Sequence, residues 1–393
     1  MQFTPPERSR SINPLSVVIC GGGFAGIEAL LRLRRPSGDR VAATLLSPGQ
    51  DLIYRPLTVL VPFALGQAER YPIKGIVGDT GARWVRDSAA WVDLPTRTVH
   101  SAGGQQLPYD ALLLAIGARE RKPGPDVSLF TDRTSGQTYR RIVDELDAGV
   151  INSLVLIEPD GPSWPLPLYE LALLTAKQAR DRGLRPEIAV VTPRPRPLHA
   201  FGEDVGKAVE GLLGEAGITL HTRTRAHVDG PGRLRLEPGD IDLHPDRIVT
   251  LPTITGPNLR GIPGEAIDRF ISVDDRCRVR HTDGRVFAAG DATDLPMKNA
   301  SLAAQQADTA AAGMAHLAGA GPAPPALRPV VYGTLLTGDK PLYLAAHLIA
   351  GTGSRAQIYD RPPWPPDQLV FAEELTAYIA GLPPEVSPTP AAP

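Results

Sequence analysis

The sequence has 393 residues, 42% hydrophobic and 21% charged, a balance typical of a soluble globular protein with two or three domains. Lys and Arg total 41 against 43 Asp and Glu, so the net charge of −2 offers no electrostatic basis for binding nucleic acid. The two cysteines, Cys20 and Cys277, are far apart and form neither a disulfide framework nor a metal-binding pattern. The first residues contain no apolar signal segment and no stretch is long enough to span a membrane, so we expect a cytoplasmic protein.

Residues 16–35 have the order strand, glycine turn, helix. The β-branched run SVVIC precedes GGGFAG, and IEALLRLRR follows it. Gly21, Gly23 and Gly26 form a GxGxxG pattern in the context where it indicates dinucleotide binding. The first glycine permits a tight turn, the second lets the backbone approach a pyrophosphate, and the third lets helix and strand pack closely. The helix N-terminus then offers unpaired N–H groups to the anion. A purely structural glycine turn is the alternative.

The strand predicted over 41–46 ends at Ser47, where a ribose-binding Asp or Glu is usual. A serine hydroxyl can still bond a ribose hydroxyl, so Ser47 is a candidate ligand that departs from the usual pattern. Residues 84–118 read as a β-meander that ends in an apolar strand over 111–116.

A second strand–helix–strand unit follows, with strands at 153–157, 187–192 and 218–223 and helices at 167–183 and 203–217. The chain then returns to the first unit through a strand over 285–289, which ends at Gly290-Asp291, and a helix from about Ser301.

The predicted fold is therefore α/β: two nested Rossmann-like dinucleotide-binding domains with three-stranded β-meanders, plus a small C-terminal α+β region. The expected boundaries are 1–118 and 263–318 for the two parts of the first domain and 119–262 for the second. Residues 319–393 form the C-terminal interface region and tail.

In the C-terminal region, residues 330–360 are predicted as strands and 367–382 as an amphipathic helix. Its polar face would carry Glu373 and Glu374 and no cation, which disfavours contact with anionic lipid. We expect it to pack against the body or to form a homodimer contact. Peripheral membrane contact is a less favoured alternative.

Five motifs in order carry a family resemblance: GGGFAGIEAL, LLSPGQDLIYRPL, YDALLLAIGAR, LPTITGPNLRGIPG, and VFAAGDAT before AAQQAD. Together they resemble the pyridine nucleotide–disulfide oxidoreductase superfamily. The branch most similar contains sulfide:quinone reductase, flavocytochrome c sulfide dehydrogenase and type II NADH dehydrogenase. The resemblance implies an FAD-dependent oxidoreductase, with 1–118 and 263–318 as the FAD-binding domain.

The resemblance also implies which residues hold FAD. Ser47 would face the ribose, Arg55 and Pro56 would lie beside the flavin, and Ala89 would meet the adenine. The remaining cofactor-binding residues implied by the resemblance are Gly21, Gly23, Phe24, Ala25, Gly26, Ala115, Gly117, Asp291 and Leu302.

Two of these assignments concern charge. Asp291 would bond the ribityl or phosphate region, with a turn or N-cap aspartate as the alternative. The helix from Ser301 would direct its first N–H groups, including that of Leu302, at the flavin pyrimidine. Lys298, just before this helix, is the candidate catalytic residue because its charge could stabilise the reduced cofactor; a surface lysine is the alternative.

The second unit lacks a glycine loop. Where the first unit has Ile19–Glu28, the second has Ile157–Glu170, IEPDGPSWPLPLYE, which is four residues longer and contains four prolines. Prolines lack the N–H groups that hold a pyrophosphate, and Leu168 replaces the third glycine. NAD(P)H binding is therefore doubtful. A small-molecule substrate between this loop and the flavin could stack on Trp164, for which a core or interface tryptophan is the alternative.

The redox-active disulfide of the family is also missing, because Cys20 and Cys277 are two distant single cysteines that cannot form a redox-active pair beside the flavin. We therefore predict an FAD-dependent oxidoreductase without redox-active cysteines and without a metal. NAD(P)H or a small organic compound would be the donor, and a quinone or another molecule the acceptor. The alternative is an FAD-binding protein of the same fold with a structural, sensing or interaction role and little turnover. A third interpretation is that the chain no longer binds FAD. Its only support is Ser47, which replaces the usual acidic ribose ligand.

Overall fold

The computed structural model describes residues 13–121, 124–131, 135–263, 267–349, 353–364, 369–381 and 385–386. None of the helices in these ranges is long and apolar enough to cross a membrane. The α-helices are α1 (Phe24–Ser37), α2 (Ile73–Thr80), α3 (Arg140–Asp147), α4 (Leu166–Asp181), α5 (Glu203–Glu215), α6 (Ala300–Leu317) and α7 (Glu373–Ile379). The 3₁₀ or π segments are Gly38–Arg40, Arg55–Phe63, Ser135–Tyr139, His199–Phe201, Ile267–Arg269 and Gly290–Ala292.

The first unit is built on a five-stranded sheet. Its strand order is Val286–Ala288, Ala111–Leu114, Leu15–Cys20, Val41–Leu46 and Arg83–Val85, with every neighbouring pair parallel. The sheet is buried on both faces, as its nearly continuous apolar strands require. One edge strand comes from residues 286–288, far along the chain, so the second unit is inserted into the first.

The second unit repeats this plan. Its parallel strand order is Ser128–Leu129, Arg247–Thr250, Ser153–Ile157, Glu187–Val191 and Thr219–His221. Helices α4 and α5 connect its successive central strands, the crossover arrangement that parallel pairing demands. The nested α/β fold predicted from the sequence is confirmed.

Antiparallel sheets complete the molecule. One meander lies within the first unit, between its strands Arg83–Val85 and Ala111–Leu114. Its strands are Ala89–Asp93, Thr98–Ser101 and Gln106–Pro108, and a second meander has strands Arg225–Gly230, Arg233–Glu237 and Ile241–Leu243. The C-terminal sheet consists of Val330–Leu335, Leu342–Ile349 and Gly353–Tyr359. Two small sheets join Asp51–Ile53, Glu69–Pro72 and Glu385–Val386, and Arg119–Arg121 with Thr253–Thr255.

Helix α7 is docked on α1. The buried Glu28 carboxylate accepts the N–H groups of Glu374 at 2.9 Å and Leu375 at 2.6 Å. Arg32 forms ion pairs of 3.0 Å with Glu373 and Glu374. The Glu374 side chain is buried where it pairs with Arg32. Packing against the body, one of the uses expected for this helix, is what the structure shows.

Candidate functional site

A cavity of about 770 Å³ lies at the carboxyl ends of the first sheet's strands and extends to the second unit. This is where open parallel sheets bind ligands. Most of the residues singled out in the sequence line it. They are Gly21, Gly23, Phe24, Ala25, Ser47, Arg55, Pro56, Ala89, Ala115, Gly117, Trp164, Asp291 and Lys298.

The glycine turn is shaped by close backbone contacts. Gly21 has φ +112°, and a Cβ there would lie 2.1 Å from the Ala115 carbonyl oxygen. A Cβ on Gly26 would lie 1.8 Å from the Gly21 carbonyl oxygen, so Gly26 serves helix–strand packing and is not among the lining residues. A Cβ on Gly23 would meet nothing within 4 Å. The turn thus combines tight packing behind it with open space in front.

The N-terminus of α1 is available to an anion. Its N-cap is Gly23, no side chain caps it within the described structure, and its first turn holds no acidic residue. The first intrahelical bond runs from the Ile27 N–H to the Gly23 oxygen at 3.0 Å. The N–H groups of Phe24 and Ala25, both at the cavity wall, therefore lack helical acceptors. With the helix dipole they suit a phosphate group.

Asp291 and Lys298 form the charged end of the cavity. Burial raises the pKa of Asp291 above its usual value, while the nearby charges of Lys298 and Arg55 act in the opposite direction. Lys298 is only 5% exposed, so the surface-lysine alternative is wrong. Its Nζ donates to the carbonyl oxygens of Thr293 and Asp291 and lies 3.9 Å from the centroid of the Phe270 ring. Burial lowers the pKa of Lys298 to about 8.

The N-terminus of α6 differs from the expectation. Asn299 caps it, and its Oδ1 accepts the N–H groups of Ser301 at 2.9 Å and Leu302 at 3.1 Å. The N–H of Leu302 is therefore already engaged, and the Leu302 side chain packs in the hydrophobic core outside the cavity lining. The assignment of Leu302 is corrected: Asn299, Ala300 and Ala303 line the cavity in its place.

Trp164 lies at the cavity wall and also packs inside the protein. It lines the cavity wall on the side of the second unit. Its ring also packs against Phe201, with centroids 5.8 Å apart at 54°. The neighbouring Ser163 forms an isolated parallel bridge with Met297, next to Lys298. The proline-rich loop is thereby joined to the segment that precedes α6.

Glu170 is a site residue that the sequence reasoning missed. It lies on α4, is 3% exposed and lines the cavity. Its Oε1 accepts the N–H of Leu336 at 3.0 Å, and burial raises its pKa to about 8. The carboxyl is therefore mainly protonated at neutral pH. A signal existed, because Glu170 closes the stretch Ile157–Glu170 where Glu28 closes the equivalent stretch of the first unit.

Neither cysteine lines the cavity. Cys20 and Cys277, the two cysteines of the sequence, are both free and fully buried in different core clusters. Burial raises the pKa of the Cys20 thiol to about 12 and raises that of Cys277 as well. Both thiols are thus protonated and shielded. Within the described residues no cluster of three or more His, Cys, Asp or Glu side chains could hold a metal ion.

The pyridine nucleotide-disulphide oxidoreductase family matches residues 15–153 and 170–307. These segments form more than half of the chain and contain the glycine turn, Asp291 and Lys298. The chain belongs to this family. The unmatched residues 154–169 between them include the whole proline-rich loop.

Individual relatives are distant. Oxidoreductase ptaL of Pestalotiopsis fici is 24% identical over 306 residues, which cover 71% of this chain and 77% of that one. Rhodocoxin reductase of Rhodococcus erythropolis is 27% identical over 316 residues, covering 72% and 66%. Among solved structures, sulfide:quinone oxidoreductase of Aquifex aeolicus has a TM-score of 0.79 at 18% identity, covering 88% and 87%. At this identity the likeness shows the fold.

The chain is thus an FAD-dependent oxidoreductase of this family. The residues present fit the cofactor: the uncapped α1 N-terminus suits its pyrophosphate, and the open side of Gly23 leaves room for close approach. Ser47 lies at the end of its strand in the cavity wall, where a ribose would be held. When bound, FAD supplies hydride and electron transfer, and the protein supplies orientation and charge.

Proposed function

We propose that this oxidoreductase transfers electrons between a small organic donor and a quinone or similar acceptor, without a redox-active cysteine and without NAD(P)H as its ordinary donor. The observation that carries this proposal is the wall opposite the glycine turn. There the aromatic ring of Trp164 and the buried carboxyl of Glu170 share one cavity with the residues that fit FAD.

This wall suits a flat, uncharged substrate. Trp164 offers a stacking face, and the lining around it is mostly apolar, including Phe130, Leu166 and Pro252. Glu170 supplies a proton at an oxygen of its carboxyl, and its pKa of about 8 keeps that proton in place at neutral pH. Reduction of a quinone to a quinol takes up protons as well as electrons. A buried acid beside a stacking ring supports that chemistry.

Three observations support the finer parts of the proposal. The sulfide:quinone oxidoreductase of Aquifex aeolicus, by its name, uses a quinone. The burial of Cys20 and Cys277 supports a reaction that does not use thiols. The proline-rich loop in place of a glycine turn supports a donor other than a nicotinamide. We also propose a cytoplasmic location and a homodimer, for which cell fractionation and light scattering are direct measurements.

The test begins with purified protein and its flavin spectrum. The flavin is reduced anaerobically with one equivalent of dithionite and then mixed with menadione in a stopped-flow instrument. We expect reoxidation that saturates with menadione, and flavin that stays oxidised in separate titrations with NADH and NADPH.

Either half of the proposal can fail separately. Prompt, saturable bleaching by NADH or NADPH would mean that the second unit binds a nicotinamide, which refutes the choice of donor. Reoxidation by menadione no faster than that of free FAD would refute the quinone role. That second result would favour an FAD-binding protein with a structural or sensing role.

A further inference from the structure

The two units correspond residue by residue at their strand ends. Gly21 directly follows its central strand and donates its N–H to the Leu46 oxygen, the last residue of the neighbouring strand, at 2.8 Å. In the second unit Glu158 makes the same bond to the Val191 oxygen at 2.9 Å. Glu158 therefore occupies the position of the first glycine.

The next strand end shows the same correspondence. The Ser47 N–H donates to the Val85 oxygen at 3.1 Å, and the Thr192 N–H donates to the His221 oxygen at 2.9 Å. Thr192 therefore occupies the position of Ser47. Two backbone bonds establish this alignment of the units without reference to side chains.

The second unit has a buried glutamate side chain where the first unit has Gly21, at which a Cβ would lie 2.1 Å from the Ala115 carbonyl oxygen. Glu158 is 4% exposed, and its Oε2 accepts the hydroxyl groups of Tyr169 at 2.7 Å and Thr192 at 2.8 Å. The Arg194 Nε lies 3.6 Å from its Oε1. Burial and the Glu158 carboxylate raise the pKa of Tyr169, so the tyrosine is the donor. We call Glu158, Tyr169, Thr192 and Arg194 the Glu158 cluster.

The Glu158 cluster joins both ends of the proline-rich loop. Glu158 begins the loop, and Tyr169 lies on α4, which follows it. Arg194 also donates from a terminal nitrogen to the Gly161 oxygen, inside the loop, at 3.1 Å. The loop that carries Trp164 is therefore held from its start, its middle and its end.

We propose that the Glu158 cluster is the specificity determinant of the second unit: a buried, hydrogen-bonded side chain replaces the first glycine of a dinucleotide-binding turn, and the loop it holds presents Trp164 to a small planar substrate. This inference rests on the proposed function for its substrate class. Within the cluster Glu158 is a positioning residue, because it acts through the loop.

The second unit is poorly suited to a pyrophosphate. The buried Glu158 carboxylate, with the Arg194 Nε 3.6 Å away, brings a negative charge to the start of the turn, and that charge opposes a second anion in a poorly solvated place. Pro165 and Pro167 contribute no N–H groups at the start of α4, and the N–H of Leu168 donates to the Pro165 oxygen at 3.0 Å. The anion-binding helix terminus of the first unit has no equivalent here.

The experiment uses the FAD-loaded protein and measures equilibrium binding by flavin difference spectra, with menadione and NADH as probes. Tyr169→Phe and Thr192→Val each remove one hydrogen bond to the carboxylate, and Glu158→Gln removes its charge. We expect each to weaken menadione binding on the order of tenfold. Thr192→Ser, which keeps the hydroxyl, restores the affinity. The FAD content stays unchanged in all four variants.

The matched control is Asp160→Asn, in the same loop, which breaks only the exposed ion pair with Arg225. It should bind menadione as the wild type does. Saturable binding of NADH to the wild type overturns the proposal. So does menadione affinity within twofold of wild type in both Tyr169→Phe and Thr192→Val. Absence of menadione turnover, with these binding results intact, refutes the proposed function and leaves the specificity assignment standing.

Discussion

The two nested units have the same hydrogen bonds at their strand ends, but the turns that follow their central strands differ in sequence and in space for a ligand. After its central strand the first unit has Gly21, which packs against Ala115, and the open Gly23 then precedes an uncapped helix. The second unit has Glu158 at the position of Gly21, and its side chain accepts hydrogen bonds from Tyr169 and Thr192. The same fold thus carries a glycine turn that suits FAD in one unit and, in our proposal, a substrate-binding loop in the other.

The difference teaches that the Rossmann framework does not by itself make a nucleotide site. The parallel sheet and its crossover helix are retained in both units, but the residue at the first turn position differs. In the first unit it is Gly21, whose missing side chain allows the turn to pack against Ala115. In the second it is Glu158, whose side chain is hydrogen-bonded inside the protein.

The largest expected effect is that of Gly21→Ala. A Cβ would lie 2.1 Å from the Ala115 carbonyl oxygen, at a φ of +112° that L-residues rarely adopt. We expect FAD affinity to fall about 100-fold or more. The measurement is FAD titration of the apoprotein, with circular dichroism to verify folding.

The control for this prediction comes from the second unit. Gly161 has a similar φ of +118°, but a Cβ there would meet nothing within 4 Å. Gly161→Ala should therefore retain FAD, although the positive φ makes the substitution lower the thermal stability. Equal loss of FAD in both variants would show that the two turns are not functionally different.

Glu170→Gln is expected to slow flavin reoxidation by menadione about 10- to 100-fold, because an amide cannot give up a proton. The equivalent carboxyl of the first unit, Glu28, supplies the comparison. It binds the N–H groups of α7 and lies outside the cavity lining, so Glu28→Gln should change stability and leave the reoxidation rate within twofold. Similar rates in the two variants would remove Glu170 from the proton transfer. Stopped-flow absorbance distinguishes these outcomes.

The pH dependence of flavin reoxidation tests whether Glu170 is the proton donor. Its pKa is raised to about 8, so the proton is present below that pH and is lost above it. The rate constant should be level from pH 6 to 7 and fall about tenfold per pH unit above 8. Glu170→Gln should abolish this bend, and a bend that persists in the variant would assign it to another group.

A smaller effect is expected at Ser47. It lies in the cavity wall at the position equivalent to Thr192, and its hydroxyl suits a ribose. Loss of one neutral hydrogen bond in Ser47→Ala should weaken FAD about fivefold. Ser47→Thr, which retains the hydroxyl, serves as the comparison in the same titration. An unchanged affinity in Ser47→Ala would mean that the ribose is held by backbone alone.

The smallest predicted effect concerns stability. Burial raises the pKa values of the neighbouring carboxyls Glu28 and Asp308 well above the unfolded values near 4. Protonation therefore favours the folded state, and this contribution is lost as the pH rises from about 4 through the raised pKa values of the pair. We expect Tm to fall by a few degrees over that range, and Asp308→Asn to reduce the fall. Asp283→Asn, at an exposed ion pair with Arg97, is the control. An Asp308→Asn profile identical to wild type would contradict this account.

Local patterns in the sequence determined the frame of this protein. Apolar runs of strand length, the GxGxxG turn and the return strand before Gly290 are signals within short stretches, and they predicted the nested fold and the FAD-binding residues. The four prolines after Ile157 likewise indicated that the second turn differs. These features depend on backbone geometry, which neighbouring residues largely dictate.

Only the tertiary structure decided the roles of the charged groups. Glu170 holds its proton because burial raises its pKa, and Leu336, which donates its N–H to this carboxyl, lies 166 positions away in the sequence. Lys298 is buried, and its Nζ donates to a backbone carbonyl oxygen. The N–H of Leu302 donates to the Asn299 side chain. Desolvation and hydrogen bonding depend on what surrounds a group in space. A sequence pattern carries no direct record of that environment.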